Sequence, residues 1–330
     1  MNVLNALKGL FKGKGGAGVD DFNITDSAVS STMRSATSLW WDAFQGQLPF
    51  TQTHKNFKPL PVAYTSTAYL AQLVTGEIKF EIADEKLNRH VQKNLLPNLD
   101  RIVQQTLVGG YTVIKPYFVQ SGEMFFDSGT SRDFLPLALD ENGHVTEGVF
   151  FERIRYHGKI YERREHHIFQ NGVHTVRNTA YLYGTKHAVE LATVPKWAVL
   201  LPEGQIPSTI PMIATFRTPY ANNIDLDSEL PISIFANSLG TLHEIDEAHS
   251  EYCAEFKKMS AKVFADSTVL RGNEGIPDDY FVGFKGDGES TVEQQIMTYA
   301  PQIRETEHSA KINKELRFYD CLLYTSPSPR

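Results

Sequence analysis

The chain has 330 residues, 41% hydrophobic and 22% charged, which is enough to bury a substantial core and long enough for about two domains. A formal net charge of −7 excludes the overall basic footprint of a protein that grips nucleic acid by neutralising many phosphates. Two cysteines, Cys253 and Cys321, are too few for a disulfide framework and fit a reducing compartment.

From the N-terminus, Met1 to Phe11 sets Val3, Leu4, Leu7, Leu10 and Phe11 on one helical side, the pattern of a short docking helix rather than a signal peptide. Gly13 to Gly18 lacks the spacing and the Lys-Ser/Thr ending of a phosphate loop and reads as a linker. Asp21 to Phe44 has a helical pattern in which one ring of the Trp40–Trp41 pair is expected in a core. A second helix is predicted at Ser66 to Thr75, a short strand at Ile78 to Ile82, and a helix over Asp84 to Leu107 that Pro97 kinks or splits before Gly109–Gly110 stops it.

Tyr111 to Phe118 is rich in β-branched and aromatic residues and reads as a strand, followed by a turn and Met124 to Asp127. Val145 to Tyr183 is the clearest β region, with three strands separated by HGK and QNGV, both of them hairpin chemistry. Its arginines, Arg153, Arg155, Arg163 and Arg164, interleaved with Glu152, Glu162 and Glu165, are expected on a mixed-charge solvent face.

From Phe235, apolar or small residues recur at Leu239, Leu242, Ile245, Ala248, Tyr252, Phe256 and Met259, one face of a long helix ending at Lys262. Asp225, Asp227 and Glu229 before it and Lys257, Lys258 and Lys262 at its end complement its dipole, with Asp227 or Ser228 expected as the cap. Short strands or turns follow in a glycine-rich insert, and a new helical pattern begins near Gln302. The fold class is therefore α+β.

The constellations that carry chemistry are weak. His157, His166, His167 and His174 lie in the meander, but adjacent His166 and His167 must point to opposite faces of a strand. The Asp225, Asp227, Glu229 run lacks the glycine and the final glutamate of a calcium loop. Cys253 sits near Glu251 and Glu255, surroundings that discourage a thiolate. No GxSxG elbow and no CxxC pair is present, so no enzyme, cofactor or metal is expected. No stretch approaches the roughly 18 apolar residues of a membrane span.

At LVGGYTVIKPYF, DFLPLALDENGHVTEGVFFERI and above all YANNIDLDSELPISIFANSLGTLHEIDEAHSEYCAEF, the chain resembles the portal proteins of tailed bacteriophages. The variety from phages of Gram-positive hosts, also called minor capsid proteins, is the nearest. The resemblance covers most of residues 20 to 319 in order, and the run Asn222, Asn223, Asp225, Asp227, Ser228 onward is its most specific part. Glu229–Leu230–Pro231 departs from it, standing where a proline and a glycine are expected before Ile-Ser.

The resemblance implies a homo-oligomeric ring of about twelve subunits at one capsid vertex. Double-stranded DNA would pass through its channel without sequence specificity, and terminase, scaffold or major capsid protein and head-completion proteins would dock on it, with no membrane. Such a protein is assembled in the host bacterial cytoplasm and resides in the virion. The implied map is an N-terminal arm over 1–20, an α+β wing over 21–225, a stem helix over 226–262, a clip-like insert over 263–301 and a returning stem helix over 302–320. Residues 321–330, CLLYTSPSPR, read as a non-native adapter-derived tail.

The acidic side Glu244, Glu247, Glu251, Glu255 is the candidate channel-facing wall, since a channel through which DNA slides cannot hold many phosphates tightly. The competing readings are a metal-dependent hydrolase or nuclease using the meander histidines, and an interaction module with an amphipathic N-terminal anchor.

Overall fold

The computed structural model describes residues 28–52, 57–119, 121–259, 262–266, 281–284, 296–299 and 302–323. The amphipathic segment 1–11, the glycine-rich stretch 13–18, most of the 263–301 insert and residues 324–330 lie outside them. The protein is α+β with mainly antiparallel sheets, in two compact units: Met1–Pro49 with Pro61–Asn237, and Phe50–Leu60 with Ser238–Arg330.

In the first unit, helix α1 (Ser31–Phe44) starts where Ser30 Oγ accepts the Met33 N–H at 3.1 Å, an ordinary N-cap. Trp40 and Trp41 are both buried, one ring more than expected; Trp41 Nε1–H donates to Ser131 Oγ at 3.0 Å. Helix α2 (Val62–Gly76) turns its small residues Ala63, Thr67 and Ala71 inward. Asp84 caps α3 (Glu85–Asn94), and a short 3-10 turn containing Pro97 separates it from α4 (Leu99–Gly109), the split that the proline predicts.

Ile78 to Ile82 forms no strand. The Ile78 N–H is taken by Thr75 O at the end of α2 and the Phe80 carbonyl by the Gln92 side chain at 2.8 Å, so the backbone groups a ladder needs are used locally.

Strand β1 (Tyr111–Phe118) is the centre of a three-stranded antiparallel sheet between β2 (Met124–Thr130) and β9 (Ala214–Arg217). The larger sheet runs β3 (Phe134–Leu139), β4 (Val145–Tyr156), β5 (Lys159–Gln170), β6 (Val173–Leu182) and β7 (Ala188–Val189), with β8 (Glu203–Pro207) also on β6. The β4–β5 and β5–β6 turns are His157–Gly158 (φ 47°, 74°) and Asn171–Gly172 (φ 54°, 74°), positive at both central residues as tight hairpins require. Strand β3 escapes the sequence pattern because Pro136 interrupts it. A proline is tolerated there because β3 is an edge strand, and its register with β4 shifts at that point.

Residues Leu230 to Phe235 are not the first turn of a helix. They form a buried plug against the α4–β1 corner, with Ile234 N–H donating to Leu107 O at 3.0 Å and Thr218 Oγ1–H to Ile232 O at 2.6 Å.

In the second unit, a 3-10 turn (Ala236–Ser238) leads into α5 (Leu239–Lys258), which begins four residues after the expected Phe235 and ends four before Lys262. Strand β10 (Lys262–Asp266) pairs in parallel with β11 (Phe281–Phe284) and antiparallel with β12 (Ile296–Tyr299). Helix α6 (Glu305–Leu323) packs along α5. It carries on through Cys321, and Leu323 is buried, so the helical pattern does not break at residue 321 as expected.

Candidate functional site

Helix α5 presents two different sides. Leu242, Ile245 and Ala248 are buried on one, and the Phe50 ring lies tilted against that of His243 with centroids 4.0 Å apart. On that helix, too, Asp246 Oδ1 accepts the Leu60 N–H at 2.8 Å, Ser250 Oγ accepts the Lys58 N–H at 2.9 Å, and His249 Nδ1–H donates to Lys58 O at 2.9 Å. The strap 57–60 is thus held on α5 through its main chain. Burial pushes the Asp246 carboxyl up to about 6 despite the Leu60 hydrogen bond.

The four candidate glutamates do not form one free acidic wall. Glu244 and Glu251 are exposed and Glu247 is half-buried, whereas Glu255 is buried and bound to Arg304, just before α6, and to His308 of α6. Glu251 itself reaches Lys311 of α6 at 3.3 Å. Glu244 and Glu255 are about three turns apart and differ by only about 20° around the axis, so they share a helix side; Glu255 is covered because Arg304 and His308 lie against its end of α5. Arg304 and His308, about 50 residues away in sequence, left no local signal that would have revealed this.

The signature loop is in the first unit and does not cap α5. The α5 N-cap is Ser238, with no side-chain hydrogen bond, and its first turn holds no acidic residue. Instead the loop closes on itself: Asn222 Oδ1 accepts the N–H groups of Ile224 and Asp225, both at 2.9 Å, and Asn222 Nδ2–H donates to Leu230 O at 2.9 Å. Asp225 Oδ1 accepts the Asp227 N–H, Ser228 Oγ accepts the Leu230 N–H, and Asn223 Nδ2–H donates to Asn237 Oδ1 at 2.8 Å. Asp225 Oδ2 also accepts from Ser30 Oγ, the cap of α1. The loop's carboxylates therefore serve turn and helix geometry.

Arg153 and Arg155 are exposed as expected, but Glu152, Glu162, Arg163, Arg164 and Glu165 are buried or half-buried. On one face of the sheet Lys196, Glu152, Arg163, Glu165 and Lys115 alternate in sign, each bonded to the next; Arg163 Nη1–H reaches Glu165 Oε2 at 2.7 Å, and Lys115 bonds Glu165 Oε1. On the other face Glu162 is held by Arg153 at 2.9 Å and Arg164 at 3.1 Å, with the guanidinium groups over Tyr183 and Tyr181. Lys115, Glu162, Arg164 and Glu165 are all buried. Burial pushes the Glu165 carboxyl up, but the His167 hydrogen bond and the Lys115 and Arg163 charges outweigh it and hold it well below the carboxylate range.

The histidines follow the two-face rule. His166 Nε2 faces Glu147 at 2.8 Å on one side, and His167 and His174 meet at 2.8 Å on the other, while His157 is in the β4–β5 turn. The Met212 N–H donates to His174 Nδ1 at 3.3 Å, so the His174 proton is on Nε2 and points at His167 Nδ1; the His167 proton is then on Nε2, donating to Glu165 at 2.9 Å. Both rings are neutral in this chain of donors. Among the described residues no three His, Cys, Asp or Glu side chains are grouped so as to hold a metal ion, and no described helix is long and apolar enough to cross a membrane.

The neutral pair has a pH consequence. Burial holds His167 below its ordinary value and His174 down at about 4, against 6.5 for a free imidazole. Folded values below the unfolded one mean that the stability is present above pH 6.5 and is lost as pH falls through about 4. Chemical denaturation between pH 7 and pH 4 is expected to show a loss of about 3 kcal/mol for the first unit, removed in His174→Asn. A flat profile across that window contradicts the tautomer assignment.

Helix α2 shows one further surface. From Val62 to Gly76 it has no charged residue, and Tyr69, Leu73 and Val74 are 60%, 50% and 48% exposed. Large side chains outward and small ones inward reverse the usual surface-helix pattern. This signal was visible in the sequence as an uncharged run but carried no periodic apolar stripe.

No family model matches this chain, and no curated protein matches it.

Proposed function

We propose that the chain is a portal subunit of a tailed bacteriophage, part of a ring at the capsid vertex through which double-stranded DNA is packaged and ejected. The carrying observation is the ordered resemblance along residues 20 to 319, densest at Asn222 to Leu239. Two structural features support it. Helices α5 and α6 pack together with a small three-stranded sheet between them in sequence, the stem, clip, stem order that the reading requires. The uncharged outer side of α2 suits a contact with a neighbouring copy, because a ring needs apolar surface that the isolated subunit leaves in water.

In this reading the first unit is the wing, α5 the stem helix and β10–β12 the clip. Terminase, scaffold or major capsid protein and head-completion proteins dock on the ring, which is assembled in the bacterial cytoplasm and ends in the virion. Glu244, Glu247 and Glu251 remain as the acidic side available to a channel, with Glu255 removed from it. The hydrolase reading draws no comparable support, since His157, His166 and His174 occupy a turn and two opposite sheet faces.

The test is self-association. Mass photometry of the purified chain at micromolar concentration is expected to give a closed high-order species, and Leu73→Glu is expected to weaken it at least about tenfold, the effect of about 1.4 kcal/mol per contact. Unchanged assembly in that variant would remove α2 from the interface. Subunits that stay monomeric before any substitution would count against the ring.

A further inference from the structure

Glu255 is in the last turns of α5 and is 8% exposed. Its Oε1 accepts the Arg304 backbone N–H at 3.0 Å and the Arg304 Nε–H at 3.3 Å; its Oε2 accepts Arg304 Nη2–H at 2.6 Å and His308 Nε2–H at 2.8 Å. Arg304 stands immediately before α6. One carboxylate borrowed from α5 therefore satisfies a main-chain donor at the start of α6 and lies at the positive end of that helix's dipole.

Connectivity makes this position mechanical. The chain leaves α5 at Lys258 to form β10 and returns from β12 to Arg304, so Glu255 and Arg304 are the two sides of the neck from which the small sheet is hung. We propose that Glu255 is a latch that closes this neck by capping α6 from α5, so that displacement of the β10–β12 unit is passed to both helices together.

Described charged and aromatic groups surround the latch. Glu251 pairs with Lys311, Glu307 and Glu251 act on Arg304, and the Tyr252 ring lies 5.5 Å from His308. Hydrogen bonds from Arg304 and then His308 hold the Glu255 carboxyl down at about 2, against 4.5 for a free glutamate. The latch is thus ionised at neutral and mildly acidic pH; its stability is present above about 4.5 and is lost as pH falls toward about 2. The inference uses only the second unit and stands or falls independently of the portal reading.

Hydrogen exchange on the full chain tests it, comparing the unaltered protein with Glu255→Gln and His308→Gln. Glu255→Gln is expected to speed exchange at His308 to Ile312 and in β10 and β12 by about tenfold or more, with Leu242 to Ala248 and strands β4 to β6 unchanged as internal controls. His308→Gln, which leaves the Arg304 bonds in place, is expected to fall between the two. Exchange within about twofold of the unaltered protein in Glu255→Gln overturns the latch. So does an equal loss of protection along the whole of α5, which would make Glu255 a general support of the unit.

Discussion

Replacing Glu165 with alanine is expected to cost the first unit about 3–5 kcal/mol, measured as a lower denaturation midpoint, because it takes the carboxylate from two buried partners, Lys115 and His167, and from half-buried Arg163. Lys115 loses its main counter-ion, Arg163 loses one of two carboxylates, and the His167 Nε2–H loses its acceptor. Lys115 is 6% exposed, and among the described residues the carboxylate left to it is that of Asp127, 3.6 Å away. The size of the loss reflects uncompensated charge rather than the net worth of the ion pair. The double replacement Lys115→Met, Glu165→Leu is accordingly expected to recover most of it. A loss under about 1 kcal/mol in Glu165→Ala would mean that water reaches the site and the ladder behaves as a surface network.

The second large effect is expected at Gly110. Its φ of +85° lies where a side chain is strained, and a Cβ there would come 2.4 Å from the Pro231 carbonyl oxygen, a main-chain atom that cannot swing aside. Gly110→Ala should therefore cost about 3 kcal/mol or more and loosen the Leu230–Phe235 plug, seen as lost protection of the Ile234 N–H on Leu107 O. Gly76→Ala is the contrast: its added Cβ meets nothing within 4 Å, so that variant is expected to be neutral or to gain up to about 1 kcal/mol. Equal effects at the two glycines would show that the close approach of Pro231 to Gly110 does not constrain the fold.

How much of this was legible in the sequence depends on how local the cause is. The hairpins at His157–Gly158 and Asn171–Gly172 and the break at Pro97 follow from two or three adjacent residues and were readable. The start of α5 was not, because Phe235 is four residues before Leu239 and continues the helical spacing while sitting in a buried turn. The meander charges were misplaced for a related reason. Interleaved Arg and Glu look solvated one strand at a time; only strand pairing sets Arg153 opposite Glu162 and Glu152 opposite Arg163, letting the charges be covered. Glu255 looked like its neighbours Glu247 and Glu251 until the start of α6 brought Arg304 and His308 against it.

The signature loop marks the boundary between what resemblance and what physics contribute. Its residues were legible as a motif, and their work was not: Asn222 and Asp225 tie the loop to itself and to the start of α1, and the helix that Asp227 or Ser228 was expected to cap begins only at Leu239. That role is structural, so the loop contributes to the proposed conduit as part of the resemblance and not as channel or cap chemistry.

Electron microscopy of the purified full chain tests that proposal most directly. The account predicts closed rings of about twelve copies with a central channel wide enough for a DNA duplex, abolished or depleted by Leu73→Glu. Monomers or two-fold dimers at every concentration, with no ring in any field, would contradict it.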